Sequence, residues 1–270
     1  MTENRYLPNT DQISVIAATI LLTFAISGFL SIPEQQIRFE LWNIYLVLSL
    51  NAQTMVMIVA SILAATGSDW LIRNHPLWNK RSTVEHWVLP LLTALVLGFL
   101  ISRLEGSLYG WISFFLGAGF LMGILIAEYI TVNPHDLRYP IAITVLIAIS
   151  YVLFLLFCIL IRLLNYRLIF TLPSLFFASM LVSLRSLRLR RPQRWMLPEA
   201  TLIALISIQI ASSLHYWPIS PLSFGLAILG VNYALFLLIH HLHSNPTFKL
   251  VYLEPLFFLI ISWILAYWLK

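Results

Sequence analysis

Apolar residues in this chain come in long unbroken blocks. They show neither the strict alternation of half-buried strands nor the single apolar face of surface helices. Leu41–Ser68 and Tyr139–Ile161 each pass without one Asp, Glu, Lys or Arg. About 20 consecutive apolar residues form a helix long enough to cross the hydrocarbon core of a bilayer, and blocks without period-two alternation are not barrel strands. The pattern predicts nine spans: Ile13–Ile32, Leu41–Ala65, Trp87–Ser102, Leu108–Ile130, Tyr139–Ile161, Leu168–Leu184, Pro198–Tyr216, Pro221–His241 and Leu250–Leu269. The third and sixth are short, and the sixth holds Pro173, a residue that kinks helices. The seventh and eighth are separated by no formal charge. They part at Trp217-Pro218-Ile219-Ser220-Pro221, where two prolines three apart stop a helix and permit a tight turn. The expected fold is all-α, a polytopic transmembrane helical bundle of about nine spans in one integral membrane domain, residues 1–270.

Polar positions punctuate the blocks regularly. Tyr6-Leu7-Pro8, Trp87-Val88-Leu89-Pro90, Tyr139-Pro140, Trp195-Met196-Leu197-Pro198 and Tyr252-Leu253-Glu254-Pro255 all stand at the starts of odd-numbered spans. Proline in the first helical turn lacks only a donor that would be orphaned there anyway, and Trp and Tyr favour the headgroup level. Even-numbered spans are followed by Pro76, Pro134, Pro192 and Pro246, at spacings of 58, 58 and 54 residues. The pattern reads as a parallel repeat of two-helix hairpins with a ninth helix left over. The best-matched pair is His86–Pro134 against Arg194–Pro246, each opened by Trp-x-Leu-Pro and closed by Asn-Pro.

Composition changes the picture only by confirming the solvent. The chain is 60% hydrophobic and 10% charged, against about 25% charged residues in soluble domains, so lipid must cover most of its surface. The net charge of +5 points to anionic leaflets rather than to nucleic acid, because the basic residues cluster between spans. With nine spans, the N-terminal side carries 11 Lys and Arg, including Arg73, Lys80, Arg81 and Arg185–Arg194, and the other side carries 5. The positive-inside rule then places the N-terminus in the cytoplasm and the C-terminus outside, in a plasma membrane of the bacterial inner-membrane kind. Cys158 is the one cysteine, which rules out an intrachain disulfide and a Cys-based zinc cluster. Glu3 and Asp11, the lack of a basic leader and the poor cleavage site Ser31-Ile32-Pro33 mark the first span as retained.

Candidate chemistry is sparse. Arg185, Arg188, Arg190, Arg191 and Arg194 form a basic cluster suited to anionic lipid headgroups or a phosphate-bearing substrate, or simply to anchoring topology. Glu128, Glu199 and Glu254 lie at one depth. Glu199 and Glu254 flank helix-starting prolines, where a carboxylate complements the helix dipole. Glu128 lies near a helix C-terminus, where the dipole disfavours it, so it needs another reason. His240, His241 and His243 end the eighth span, and only His240 and His243 share a helix face. No metal-ligand spacing supports them, and no histidine stands at mid-span to hold a tetrapyrrole, so the sequence leaves any cofactor unknown. Asn51, Gln53 and Thr54 in the second span and Asn232 in the eighth are intramembrane polar residues, which usually bond to a neighbouring helix. Gly119-x-x-x-Gly123-x-x-x-Ala127 permits close helix contact, and Ser223, Ala227, Gly230 and Ala234 repeat the idea. Glu128, Glu199, Glu254, His240, Asn51 and Asn232 therefore make up the candidate functional set. P-loop, GxGxxG, GxSxG and EF-hand motifs are absent.

The stretch from Thr66-Gly67-Ser68-Asp69-Trp70 to His86-Trp87-Val88-Leu89-Pro90 is similar to an uncharacterised family of bacterial polytopic membrane proteins, and the similarity extends over most of the chain. The resemblance implies a fold and no activity. The leading functional expectation is a non-catalytic subunit, scaffold or accessory factor with protein partners in a membrane complex. One alternative is a carrier for a lipid or small hydrophobic solute, using Glu128 with Asn51 or Asn232. Another is an intramembrane enzyme acting on a lipid-linked substrate at the cytoplasmic face, using Glu128, Glu199 and His240.

Overall fold

A computed structural model describes residues 8–27, 35–41, 44–78, 82–104, 107–244 and 252–269, with backbone alone for the two strands below. Tyr6 and Leu7, the Ile32 end of the first expected span, Lys80, Arg81, Asn245, Pro246, Lys249 and Lys270 lie outside the described residues. The described chain is helical, in the order α1 (Thr10–Ser27), β1 (Gln35–Leu41), β2 (Ile44–Leu50), α2 (Ala52–Arg73), a 3-10 turn at Val84–His86, α3 (Val88–Arg103), α4 (Leu108–Ile130), α5 (Tyr139–Leu163), α6 (Leu168–Arg190), α7 (Leu197–His215), α8 (Pro221–Ser244) and α9 (Leu253–Trp268). Seven segments among the described residues are long and apolar enough to cross a membrane, α3 counted with its preceding turn, while α1 and α9 are shorter apolar helices. Two compact units divide the chain, Met1–Tyr139 and Pro140–Lys270.

The expected second span needs correction. Leu41 and Ile44–Leu50 are strand rather than helix: β1 and β2 pair antiparallel, with Gln35 opposite Leu50 and Leu41 opposite Ile44. A short apolar run rich in Ile, Leu, Tyr and Val suits a strand as well as a buried helix. The helix begins where Asn51 caps it, accepting from the Thr54 amide at 2.8 Å and the Thr54 hydroxyl at 2.6 Å. Asn51 is thus an N-cap, not a mid-span polar residue. At the other ends, α2 runs on to Arg73 and α6 to Arg190, so Arg185, Arg188 and Arg190 are helical rather than loop residues. Pro90, Pro140, Pro198 and Pro255 all fall in the first turns of their helices, where the missing amide costs no hydrogen bond.

Unit 1 packs α1 to α4 around one apolar core. Ile13, Ile16, Ile20 and Phe24 of α1 meet Val56, Ala60, Ala64 and Leu71 of α2, Ala94 and Leu97 of α3, and Leu121, Leu125 and Tyr129 of α4. Small residues bring the backbones close. A methyl group on Gly98 of α3 would overlap Phe24 and Met57. In α4 the small residues do not all serve packing: a Cβ on Gly119 or Gly123 would meet nothing within 4 Å. The expected close contact along that motif is absent from the described structure, and Gly117, facing Leu97, packs instead.

Unit 2 is built around α8, which packs against α6, α7 and α9. Tyr151 of α5 meets Tyr233 and Phe236 of α8 at ring separations of 4.7 and 5.7 Å. The small residues of α8 do form a joint. Ser223 donates to the Ala266 carbonyl of α9 at 2.6 Å, and a methyl group on Gly230 would strike Ser262 of α9.

Candidate functional site

The two segments that carry the family resemblance meet in unit 1. The last turns of α2 present Ser68 and Asp69, and the 3-10 turn with the start of α3 presents Thr83, His86 and Trp87. Ser68 Oγ donates to the His86 carbonyl at 2.8 Å. Asp69 Oδ1 accepts from the Thr83 hydroxyl and from Trp87 Nε1, the latter at 3.2 Å. Asp69 Oδ2 pairs with Arg73 at 2.7 Å, one turn along α2. Trp87 is therefore held by a carboxylate of its own unit, beyond any preference of its ring for the headgroup level.

Behind this link lies Glu128, fully buried on α4. His86, itself buried, shares a hydrogen bond between Nδ1 and Glu128 Oε2 at 2.7 Å. His86 Nε2 faces Glu85 Oε1 at 3.7 Å, beyond hydrogen-bond length. Glu128 stands near the end of α4, where carbonyl dipoles disfavour a carboxylate, and the imidazole supplies the compensation its position demands. Nothing in the helical spacing announces this partner, which lies 42 residues away.

A second buried histidine completes the cluster. His75 packs on the Tyr129 ring at 4.4 Å. Its Nδ1 accepts from the Leu77 amide at 3.1 Å, which places its proton on Nε2. Burial, and then the nearby His86, hold His75 below the usual imidazole range, so it is neutral at pH 7. The cluster thus holds one imidazole bonded to a carboxyl group and a second kept uncharged.

Unit 2 gathers the remaining candidates at one end. The last turn of α6 and the residues after it carry Arg188, Arg190, Arg191 and Arg194. The end of α8 carries His240, His241 and His243, and the first turns of α7 and α9 carry Glu199 and Glu254. His241 Nε2 lies 3.3 Å from Glu254 Oε2, and His243 Nε2 lies 3.8 Å from Glu199 Oε1. The charges of Arg190, Arg191 and Glu254 reach His240, whose ring stacks on Phe236 at 6.3 Å. Arg188 lies over Trp195 at 5.1 Å. Arg190 and Arg194 are exposed, while Arg185 is only 3% exposed. Arg185 therefore turns into the unit and leaves the headgroup-facing set to which its sequence neighbours belong.

Asn232, at the middle of α8, is fully buried and fully engaged. Its amide nitrogen donates to Ser179 of α6 and, at 3.2 Å, to Ser207 of α7, and its oxygen accepts from Ser183 of α6 at 3.2 Å. One side chain thus ties three helices, as intramembrane amides do. Of the candidate set, Glu199, Glu254 and His240 lie at one end of unit 2, Asn51 caps α2, and Asn232 bonds across to α6 and α7. Glu128 belongs to unit 1, where its side chain meets His86, a partner the sequence did not nominate. Among the described residues, no group of three His, Cys, Asp or Glu side chains converges to hold a metal.

Seven segments among the described residues, long and apolar enough to cross a bilayer, mark a membrane protein of the multi-pass helical class. Within that class, the chain belongs to the family described as Protein of unknown function (DUF5656), which it matches over residues 32–269. No curated protein and no solved structure matches it.

Proposed function

We propose that the protein is a non-catalytic component of a membrane assembly, seated by anionic headgroups at the basic end of unit 2. The observation that supports this most directly is how its intramembrane polar groups are used. Asn232 bonds three serines on two neighbouring helices, and Glu128 bonds the turn that opens α3. Groups engaged in joining helices are poorly placed to turn over a substrate, but they make a rigid platform. Arg188–Arg194 then provide cationic side chains beside Trp195, the combination that binds an anionic leaflet. The basic bias puts that end, and the N-terminus, on the cytoplasmic side of a bacterial inner membrane, with the C-terminus outside.

The hairpin repeat belongs to the same reading. The second helix of each unit packs on the third, the third on the fourth, and the second on the fourth: α2, α3 and α4 in unit 1, α6, α7 and α8 in unit 2. Glu128 and His240 each stand six residues before the closing proline, and His86 and Arg194 each stand just before the opening Trp. On this alignment the units occupy equivalent positions with different charges. Blue-native electrophoresis of gently solubilised membranes tests the assembly role: migration in a larger complex is expected, and migration only as a lone chain overturns it.

A second reading is favoured by one observation, the buried Glu128–His86 pair. A carboxyl group and an imidazole in hydrogen-bond contact inside a membrane unit suit a proton-linked carrier for a lipid or small hydrophobic solute. A Glu128→Gln variant that retains transport of such a solute would remove Glu128 from that role. No observation favours the enzyme reading, because within unit 2 Glu199 faces His243 rather than His240.

A further inference from the structure

At the opposite end of unit 2 from the arginine cluster lies a cavity of about 280 Å³, between the end of α5, the start of α6, the end of α7 and the start of α8. Its central group is Arg162. Nη1 donates to the His215 carbonyl, Nη2 donates to the Trp217 carbonyl at 2.7 Å, and the guanidinium lies over the Phe224 ring at 5.3 Å. The His215 carbonyl ends α7, where backbone acceptors lack helical partners, and the Trp217 carbonyl, two residues on, also accepts from the Ile219 amide at 2.8 Å. Arg162 therefore caps α7 and is held in one orientation. A guanidinium has five N–H groups in a fixed fork, so three remain beyond the two donated to backbone.

The rest of the lining is rich in donors and contains no carboxylate. Asn165, Tyr166, His215 and Tyr216 border the space with Arg162 and Phe224. His215 Nδ1 is buried and has no hydrogen-bond partner among the described residues. Arg162 forms no ion pair among the described residues either, so its charge is met only by neutral carbonyls and a ring. A half-buried cation with no counter-charge among the described residues attracts an anion into the adjoining space, and the guanidinium fork matches the paired oxygens of phosphate. Asn165, at φ 50°, turns the chain sharply between α5 and α6 and puts its amide on the rim. We infer that this cavity binds a phosphate group, either as the headgroup of an anionic phospholipid or as a free phosphate or phosphate ester.

The test uses the full chain in nanodiscs. Inorganic phosphate is titrated calorimetrically in pure phosphatidylcholine discs, and retained lipid is read by native mass spectrometry after purification from discs containing phosphatidylglycerol. Each arm is run on wild type, Arg162→Gln and His215→Phe. Phosphate binding weakened about tenfold or more by Arg162→Gln and severalfold by His215→Phe assigns the site to a free phosphate. Loss of retained phosphatidylglycerol in the same variants, with no phosphate heat, assigns it to a headgroup. His215→Phe keeps the backbone carbonyl and Arg162, so it decides the matter if Arg162→Gln loosens α7 and fails to fold. Wild type that binds neither probe, or binding that survives His215→Phe unchanged, overturns the inference.

Discussion

The polar ends of the two units solve one problem in opposite ways. In unit 1, Glu128 and His86 are buried against each other at 2.7 Å, and Asp69 takes three partners of its own unit. In unit 2, Glu199 and Glu254 face histidines at 3.8 and 3.3 Å at partly exposed positions, amid an excess of arginine. The first arrangement is closed and balanced, and the second is open and cationic. Burial is what separates them. A charge removed from water must find its counter-charge inside the protein, whereas a charge at the surface can look outward for one. Unit 1 therefore reads as a joint, and unit 2 as a contact surface.

The largest expected effect tests the closed side. Glu128→Ala leaves His86 buried without its acceptor and should destabilise the protein by about 3–5 kcal/mol, the range for removing one partner of a buried pair. Glu128→Gln keeps an acceptor for His86 Nδ1 and should cost clearly less. Glu199→Ala, on the open side, should cost about 1 kcal/mol or less. Thermal unfolding in detergent ranks the three, and equal losses for Glu128→Ala and Glu199→Ala would erase the contrast between the units.

Three further variants probe the packing beneath the clusters. Gly230→Ala forces a methyl group into Ser262 at the α8–α9 joint and should cost about 1–3 kcal/mol as overpacking. Gly123→Ala meets open space and should be neutral or slightly stabilising, since Ala is the better helix former. Asn232→Leu removes three interhelical bonds, each averaging about 0.6 kcal/mol in membranes. The serines can turn back to their own helix carbonyls, so a total loss of about 1–2 kcal/mol is expected. Unfolding midpoints of the three variants check both statements, and a destabilised Gly123→Ala would place a neighbour against that face.

Helices were legible in the sequence wherever an apolar block was bounded by charge or proline. Leu108–Ile130 matches α4 at both ends, and Tyr139–Ile161 falls two residues short of α5. Legibility failed where local chemistry overrode hydrophobicity. Leu41–Leu50 is apolar enough to join the helix that follows, yet Asn51 and Thr54 together form a start signal within that block. Arg185 and Arg188 read as loop charges, yet α6 carries them, because long arginine stems can lie along apolar surface. Glu128 was recognisable as a carboxylate in an unfavourable place from its position alone. Its partner was not, because His86 comes from a different helix start. That half of the site appears only when the segments Ser68-Asp69 and His86-Trp87 meet, the same residues on which the family resemblance rests.

A pH series sharpens the comparison with a smaller effect. His75 is held below the usual imidazole range by burial and by His86, so the unfolded chain takes up a proton at that residue before the folded one does. Stability from this residue is complete above about pH 6.5, the ordinary histidine value, and is lost as pH falls toward the lowered folded value. His75→Asn preserves an acceptor for the Leu77 amide and removes the titration. Between pH 7.5 and 5.5 the wild type should lose more stability than the variant, as read from unfolding midpoints. Parallel pH profiles would show that His75 is not kept neutral by the fold.

The smallest effect on stability belongs to the open side, and it is the one most informative about function. Arg190 and Arg194 are exposed, so replacing both with Gln should change stability by no more than about 0.5 kcal/mol each. If these side chains bind headgroups, the double variant should retain less anionic phospholipid by native mass spectrometry while unfolding at the wild-type temperature. Retention by the wild type should also fall as salt rises, since exposed charges are screened within about 10 Å at 0.1 M. A double variant that keeps its anionic lipid would assign the cluster to fixing orientation alone. The basic end of unit 2 would then differ from unit 1 in charge balance but not in role.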